Sequence, residues 1–364
     1  MSRRIIIAGG GTGGHIFPAL AIAGALKKMD SSIEILFVGA KGKMEMEKIP
    51  LAGYSIKGLD IAGFDRSSLI KNMGLPWKLI KSFWQVNKVL RQFNPDAVLG
   101  VGGYSSFPVL RMAQYKGIPT FLHEANSYAG KSNQLLVKKV DCVFAGVNGL
   151  DRFFPSEKVF YTGNPVRSVI TQLLPAQDLG RQHFQLAANQ PTLLVVGGSL
   201  GARSINEAVK NGLALLLAQG VQVIWQTGKP FAAEAENACK EKKGVWTGAF
   251  IHQMEMAYAA ADLIIARAGA MTVAEIAVVA KPAIFVPFPH AAEDHQTANA
   301  MQLVNRQAGL MITDQDAAKK LIPTVIELCQ DEGKRKKMIE QIRPLGIRDA
   351  ADRVAVEMLK RLDK

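Results

Sequence analysis

Ile5-Ile6-Ile7-Ala8-Gly9-Gly10-Gly11-Thr12-Gly13-Gly14-His15 is the stretch from which the fold can be read. An apolar, β-branched run stops abruptly at glycines, and a helical pattern follows from Ile16 to Lys28. The spacing predicts a buried strand, a glycine turn and a helix. Met1-Ser2-Arg3-Arg4 before this run gives the outward look of a secretion signal. The apolar part is too short for one and enters the glycine turn at once, so it reads as strand. The same device recurs where Leu193-Leu194-Val195-Val196 runs into Gly197-Gly198-Ser199-Leu200-Gly201-Ala202-Arg203, followed by a helical Ile205 to Leu217.

Around these two turns, short apolar runs alternate with amphipathic ones. Ile33 to Val38, Ala97 to Val101, Thr120 to His123 and Val140 to Ala145 follow the first turn; Val221 to Gln226, Leu263 to Ala266 and Ala283 to Val286 follow the second. Such alternation predicts parallel sheets covered by helices. The expected architecture is α/β, with two Rossmann-like domains facing across a cleft. Residues 1–164 form the first, 165–346 the second, and 347–364 a C-terminal helix that folds back onto the first. The boundary is set at Gly163-Asn164-Pro165-Val166-Arg167, a strand end broken by a turn pair, and Pro344-Leu345-Gly346 interrupts the last helical region.

A length of 364 residues suits two domains. The 48% apolar and 21% charged content is that of a globular protein, and no apolar run is long enough to span a bilayer. Cys142, Cys239 and Cys329 are far apart, which suits a reducing compartment and argues against structural zinc. Lys and Arg exceed Asp and Glu by 13, so polyanionic partners are expected. With 7% aromatic residues and no nucleic-acid-binding signature, an anionic membrane and phosphorylated ligands are favoured over nucleic acid.

Gly9, Gly11 and Gly14 satisfy GxGxxG. Absent side chains let backbone N–H groups approach an anion at a helix start. A dinucleotide site would place an acid at the end of the second strand, but that strand ends Phe37-Val38-Gly39-Ala40-Lys41. The loop is also no Walker A motif, since His15 stands where Lys is needed. It therefore suits a phosphate or sugar face. Leu263-Ile264-Ile265-Ala266 leads to a third helix start, Arg267-Ala268-Gly269-Ala270-Met271-Thr272-Val273-Ala274-Glu275. Thr272 and Glu275 have the spacing of a capping box. Glu275 either caps its helix or accepts hydrogen bonds from the hydroxyls of a ribose, the small residues before it leaving room for diphosphate. Asp314-Gln315-Asp316 has the spacing of a metal-binding Asp-x-Asp, but its position suggests that Asp316 is a helix N-cap, and no metal or other cofactor is expected.

Eight motifs in order complete the pattern: Gly9 to His15 (GGGTGGH), Gly102 to Pro108 (GGYSSFP), His123 to Asn126 (HEAN), Gly163 to Arg167 (GNPVR), Gly197 to Arg203 (GGSLGAR), Trp225 to Gly228 (WQTG), Arg267 to Glu275 (RAGAMTVAE) and Pro287 to Ala300 (PFPHAAEDHQTANA). Together they closely resemble the MurG family, glycosyltransferases of peptidoglycan synthesis, over nearly the whole chain. Ala125 departs from the family's usual Gln, and Arg66 to Leu90 matches in character more than in sequence. The resemblance implies a GT-B fold. It further implies transfer of N-acetylglucosamine (GlcNAc) from UDP-GlcNAc to the 4-hydroxyl of undecaprenyl-diphospho-MurNAc-pentapeptide, converting lipid I to lipid II on the cytoplasmic face of the inner membrane. By resemblance, Ile251 lies at the uracil beside Phe250, Glu275 holds the ribose, Ala270, Met271 and Thr272 line the diphosphate, and Val273 and Ala274 belong to the same substrate-binding stretch. Ser199 and Arg167 contact phosphate, Gln296 touches the sugar, and Thr12, Gly13, Gly14 and Asn126 close over the sugar from the first domain.

An α-linked donor and a β-linked product imply one in-line displacement through an oxocarbenium-like transition state. His15 is the first choice as base, with a helix N-terminus expected to lower its pKa; Glu124 is the second. Membrane attachment is read from Trp77 to Arg91. Leu79, Phe83, Val86 and Leu90 form a core stripe, while Trp77, Ile80 and Trp84 form a second apolar stripe edged by Lys81 and Lys88, with Lys71 and Lys78 near. The alternatives are another UDP-sugar enzyme of the same fold, such as a UDP-GlcNAc 2-epimerase or another glycolipid transferase, an NAD-dependent dehydrogenase that would lack its acid, and a membrane scaffold that would leave the nucleotide motifs unexplained.

Overall fold

The computed structural model describes residues 2–61, 75–198 and 200–363, with the side chains of Leu75 and Pro76 outside that set. Two compact units divide the chain: residues 1–167 with 348–364, and residues 168–347. Each is built on one parallel sheet. In the first, β1 (Arg4–Ala8), β2 (Glu34–Ala40), β3 (Ser55–Leu59), β4 (Ala97–Gly100), β5 (Thr120–Glu124), β6 (Cys142–Ala145) and β7 (Val159–Tyr161) lie in the order β3-β2-β1-β4-β5-β6-β7. In the second, β8 (Thr192–Val196), β9 (Gln222–Gln226), β10 (Val245–Gly248), β11 (Leu263–Ala266), β12 (Ala283–Phe285) and β13 (Leu310–Met311) lie in the order β10-β9-β8-β11-β12-β13. The second order is that of the first without its last strand.

Central strands of such sheets are covered on both faces, which is why their sequences are apolar without alternation. In β1, Ile5 and Ile7 enter one core, against Ile16, Ile22 and Leu26 of α1 (Gly13–Met29) and Val354, Ala355 and Met358 of the C-terminal helix Ala350–Leu362. Ile6 and Ala8 face the other way, onto Val86 and Leu90 of α3 (Leu75–Phe93) and Val109, Leu110 and Ala113 of α4 (Ser106–Tyr115). The C-terminal helix is thus part of the first unit; Arg361 also donates to the Asp141 carbonyl at 3.0 Å, and Arg3 pairs with Asp363. A short α2 (Glu45–Leu51) follows β2. In the second unit, Leu193 and Val195 of β8 pack with Trp225, Leu213 and Leu216 in a single core.

Candidate functional site

In both sheets the chain reverses its direction of growth between two neighbouring strands, β1 and β4 in the first and β8 and β11 in the second. Ligands of open α/β sheets bind beyond the strand ends at such a switch point. The glycine motifs lie there. Gly9–Gly14 leaves β1, Gly102–Ser105 follows β4, Gly197–Gly201 leaves β8, and Arg267–Gly269 leaves β11.

In the first unit the first three amides of the loop are already engaged. The Gly9 N–H donates to the Val38 carbonyl at 3.1 Å and the Gly10 N–H to the Gly102 carbonyl at 3.4 Å. The Gly11 N–H donates to Glu45 Oε2 at 2.8 Å. A Cβ at Gly10 would lie 2.3 Å from Cδ of Glu45, so glycine is what admits that carboxylate. The amides left for a ligand are those of Thr12, at the N-cap of α1, and of Gly13 and Gly14 in its first turn, which have no intrahelical acceptor. The phosphate face read from GxGxxG is therefore narrower than the motif suggests. Glu45 was missed because it lies five residues beyond the strand end, in a run that also contains the exposed Glu47.

His15 sits in the first turn of α1, with Nδ1 3.0 Å from the Gly10 carbonyl oxygen and 3.5 Å from Thr12 Oγ1. A carbonyl only accepts, so Nδ1 carries the proton and the neutral ring presents Nε2 as its basic nitrogen. That edge faces Gly102, where a Cβ would come within 2.8 Å of Nε2. Burial holds the His15 pKa below 6.5, opposed by the Gly10 carbonyl and by the Glu124 and Glu45 carboxylates. The lowering matches the expectation from sequence, but its leading cause is burial rather than the helix terminus.

Glu124, at the end of β5, is buried, and both its oxygens are occupied. Oε1 accepts from the Asn126 backbone N–H at 3.1 Å and from Asn126 Nδ2 at 3.4 Å; Oε2 accepts from the Gly130 N–H at 2.9 Å and Asn133 Nδ2 at 2.8 Å. Glu124 therefore organises the loop from Asn126 to Asn133. Arg167 lies over the Phe17 ring of α1, 4.9 Å from its centroid.

His123 is buried beside them, and burial, reinforced by the nearby His15, pushes its pKa down to about 3. In the unfolded chain it titrates near 6.5, so the folded form binds fewer protons between these values and stability is lost as pH falls from about 6.5 towards 3. The expected loss is up to about 1.4 kcal/mol per pH unit from this residue. Denaturant titrations of the wild type and of His123→Gln at pH 4.5 and 6.5 check it: the variant has the shallower dependence.

In the second unit, the glycine loop after β8 packs against the WQTG motif. Gln226 Nε2 donates to the Gly198 carbonyl at 2.9 Å, and a Cβ at Gly201 would lie 2.0 Å from the Thr227 carbonyl oxygen. Trp225 is fully buried and donates to Asn206 Oδ1 at 3.0 Å; Asn206 in turn donates to the Thr227 carbonyl at 2.8 Å. Ser199 lies outside the described residues.

The helix after β11 spans Ala270–Val279 and its N-cap is Gly269, so Thr272 is inside the first turn and the expected capping box does not form. Glu275 is a turn further in and buried, and its Oε2 accepts from the Tyr258 hydroxyl at 2.9 Å. Capping is thus excluded as the role of Glu275, and Tyr258 is the partner sequence reading missed. Ile251 and Val273 are also buried; Phe250 is half exposed and packs edge-on against His252. Ala270, Thr272 and Ala274 are partly exposed and Met271 is buried.

Arg267 is a second missed organiser. It donates to the Val286 and Pro287 carbonyls at 3.0 Å, pairs with Asp314 and bonds Ser204 Oγ, tying the helix starts after β8 and β11 to the segment after β12. In that segment Gln296 Oε1 accepts from the Phe288 N–H at 3.0 Å. Glu293 and Asp294 before it both adopt left-handed backbone, φ 49° and 50°, a strain that recurs at ligand-binding segments. Asp314 thus serves Arg267, while Asp316 pairs with Lys320 at 3.0 Å instead of capping its helix through the side chain.

On α3, Val86 and Leu90 are buried and Leu79 and Phe83 partly so, whereas Trp77, Ile80 and Trp84 are 75%, 52% and 77% exposed. The two stripes are therefore distinct. Lys81 is committed to Asp60 at 2.9 Å, with Lys41 on the same carboxylate at 2.7 Å; the two ammonium groups and Gln85 hold the Asp60 pKa far below the usual carboxylate range. Lys81 is thus less available to a membrane than expected, and Lys71 lies outside the described residues.

Residues 5–145 match the glycosyltransferase family 28 N-terminal domain, and residues 192–354 match the family's C-terminal domain. The chain is 46% identical over 363 residues to the UDP-N-acetylglucosamine--N-acetylmuramyl-(pentapeptide) pyrophosphoryl-undecaprenol N-acetylglucosamine transferase of Parabacteroides distasonis, covering 99% of each. It is 47% identical to the enzyme of the same name from Phocaeicola vulgatus, covering 99% of this chain and 97% of that one. Among solved structures, the MurG of Acinetobacter baumannii superposes with a TM-score of 0.77 at 28% identity, covering 98% of this chain and 99% of the other. With sheet order, switch-point loops and full-length identity in agreement, this chain belongs to the MurG family of glycosyltransferases.

Proposed function

We infer that the protein is an inverting glycosyltransferase that moves GlcNAc from UDP-GlcNAc to the 4-hydroxyl of MurNAc in undecaprenyl-diphospho-MurNAc-pentapeptide, in peptidoglycan synthesis. The observation that carries this reading is 46% identity across 99% of both chains to a relative named for that transfer. Incubation with radiolabelled UDP-GlcNAc and a lipid I analogue tests it: label passes to the lipid, and UDP release without transfer, or epimerisation of the donor, defeats it.

In the proposed route the second unit holds the donor. The helix starts after β8 and β11 present amides to the diphosphate, joined by Ser199, and Glu275 accepts from the ribose hydroxyls with its carboxylate oriented by Tyr258; Arg167, a residue of the first unit, is the further phosphate contact that the resemblance implies. Gln296 meets the sugar. In the first unit, Thr12, Gly13, Gly14 and Asn126 bind the sugar and acceptor side. The acceptor oxygen attacks the anomeric carbon as the bond to the UDP β-phosphate oxygen breaks, and that bond's electron pair leaves with UDP. The acceptor proton passes to Nε2 of His15, the nitrogen left basic by the Gly10 contact. Charge on the departing UDP is met by the helix-start amides. Glu124, with both oxygens engaged, holds Asn126 in place rather than taking the proton.

We also propose that the protein works peripherally at an anionic membrane surface on the cytoplasmic side. No helix of the described residues is long and apolar enough to cross a membrane. The support is the exposed Trp77, Ile80 and Trp84 stripe beside a groove lined by Phe83, Arg111, Met112, Tyr115 and Lys139, an aromatic and basic mixture suited to a headgroup layer. Trp77→Glu with Trp84→Glu is expected to leave UDP affinity unchanged and to cut co-sedimentation with anionic vesicles several-fold; equal sedimentation rejects the site.

A further inference from the structure

We propose that Glu45 is a positioning residue for the transfer reaction: its buried carboxylate pins the first glycine loop in the one shape that aims the His15 imidazole at the acceptor. The inference rests on the reading of His15 as base.

Glu45 is 1% exposed, and no ion pair to it is found among the described residues. A buried carboxylate must be compensated by hydrogen bonds. Two backbone donors do this here. Oε1 accepts from the Ala40 N–H at the end of β2 at 3.0 Å, and Oε2 accepts from the Gly11 N–H at 2.8 Å. The side chain thereby bridges β2 to the loop after β1. The fit is tight on both sides: a Cβ at Gly39 would lie 2.5 Å from Cγ of Glu45, and one at Gly10 would lie 2.3 Å from Cδ. Two glycines thus clear a slot for one carboxylate.

The bridge continues to the catalytic ring. Gly10, gripped against Glu45, supplies the carbonyl that receives the proton of His15 Nδ1 at 3.0 Å. On its other side Gly10 abuts the loop after β4, where a Cβ at Gly103 would come within 2.5 Å of the Gly10 oxygen. Moving Glu45 releases the Gly11 amide and one side of Gly10, leaving Gly10 held only from the Gly102–Gly103 side, which loosens both the tautomer lock and the orientation of Nε2. The charge also matters. The carboxylates facing His15 are Glu124 and Glu45, which raise its pKa, while burial lowers it, and the neighbouring imidazole is His123.

The test uses Glu45→Gln, Glu45→Asp and His15→Ala in the full-length protein, with UDP affinity and melting temperature reporting intact folding. Gln keeps the volume but turns an N–H2 towards one of the two backbone donors. Glu45→Gln is expected to reduce kcat on the order of 100-fold, as for a misaligned catalytic group, with the KM for UDP-GlcNAc within about twofold of wild type. Removing the carboxylate moves the acid limb of the pH–kcat/KM profile to lower pH. A limb displaced towards 6.5, as in a merely loosened and hydrated site, or an unchanged kcat, overturns the proposal. If Glu45→Gln does not fold, Glu45→Asp retains the charge while withdrawing it from one donor. It should lose kcat with the acid limb unmoved, and full activity overturns the proposal equally. The double variant His15→Ala/Glu45→Gln separates the two readings. Should His15→Ala alone leave turnover intact, the base assignment fails; should it lower kcat to a measurable residue on which Glu45→Gln still imposes its full loss, Glu45 does not act through His15.

Discussion

His15→Ala is expected to lower kcat by about 10²–10⁴-fold, the usual contribution of a positioned general base, while UDP binds as in the wild type. The separation follows from where the ring sits. His15 belongs to the first turn of α1 in the first unit, whereas Glu275, assigned to the ribose, belongs to the helix after β11 in the second. The pH profile carries the sign. The base must be neutral to take the acceptor proton, so activity falls as pH drops through the His15 pKa. Burial holds that pKa below 6.5, so the wild-type acid limb lies below the value of an unperturbed histidine. Steady-state kinetics with a lipid I analogue from pH 5 to 8 measures both quantities. Near-normal turnover by the variant, or an acid limb above 6.5, removes His15 from the chemistry.

Glu275→Gln is expected to weaken UDP about 30- to 100-fold, corresponding to roughly 2–3 kcal/mol for a charge-assisted hydrogen bond lost to the ribose. The substitution isolates that contact, because a carboxamide has nearly the same volume and still bonds the Tyr258 hydroxyl, now 2.9 Å from Oε2. Only the capacity to accept from two ribose hydroxyls at once is lost. Calorimetric titration with UDP gives the affinity, and the melting temperature without ligand should change little. UDP affinity equal to wild type would assign Glu275 a packing role alone.

The sheets were readable from sequence because their cause is local. A strand buried on both faces is a continuous apolar run, and β1, β4, β5, β8 and β11 each end where glycine, or glutamate and arginine in two cases, breaks the run. The glycine loops were readable for the same reason. Their electrostatic content was not. Glu45 and Glu47 are two residues apart and alike in sequence, yet Glu45 is buried in a slot made by Gly10 and Gly39 while Glu47 faces solvent. That difference arises only when β1 and β2 are side by side. Tyr258 and Arg267 were missed likewise, since their partners Glu275 and Asp314 lie 17 and 47 residues away. The capping box between Thr272 and Glu275 failed by a small shift. Gly269 in extended backbone starts the helix before Thr272, which turns Glu275 into the interior towards Tyr258.

The proposed transfer requires the donor to lie on the second unit's switch point, with its diphosphate against the helix-start amides after β8 and β11. A crystal of the protein soaked with UDP-GlcNAc tests this most directly. The expected density has the ribose hydroxyls within hydrogen-bond distance of Glu275 and the diphosphate at Ala270–Thr272 and the Gly197–Gly201 loop. Density for the nucleotide at any other place, with these loops empty, would contradict it.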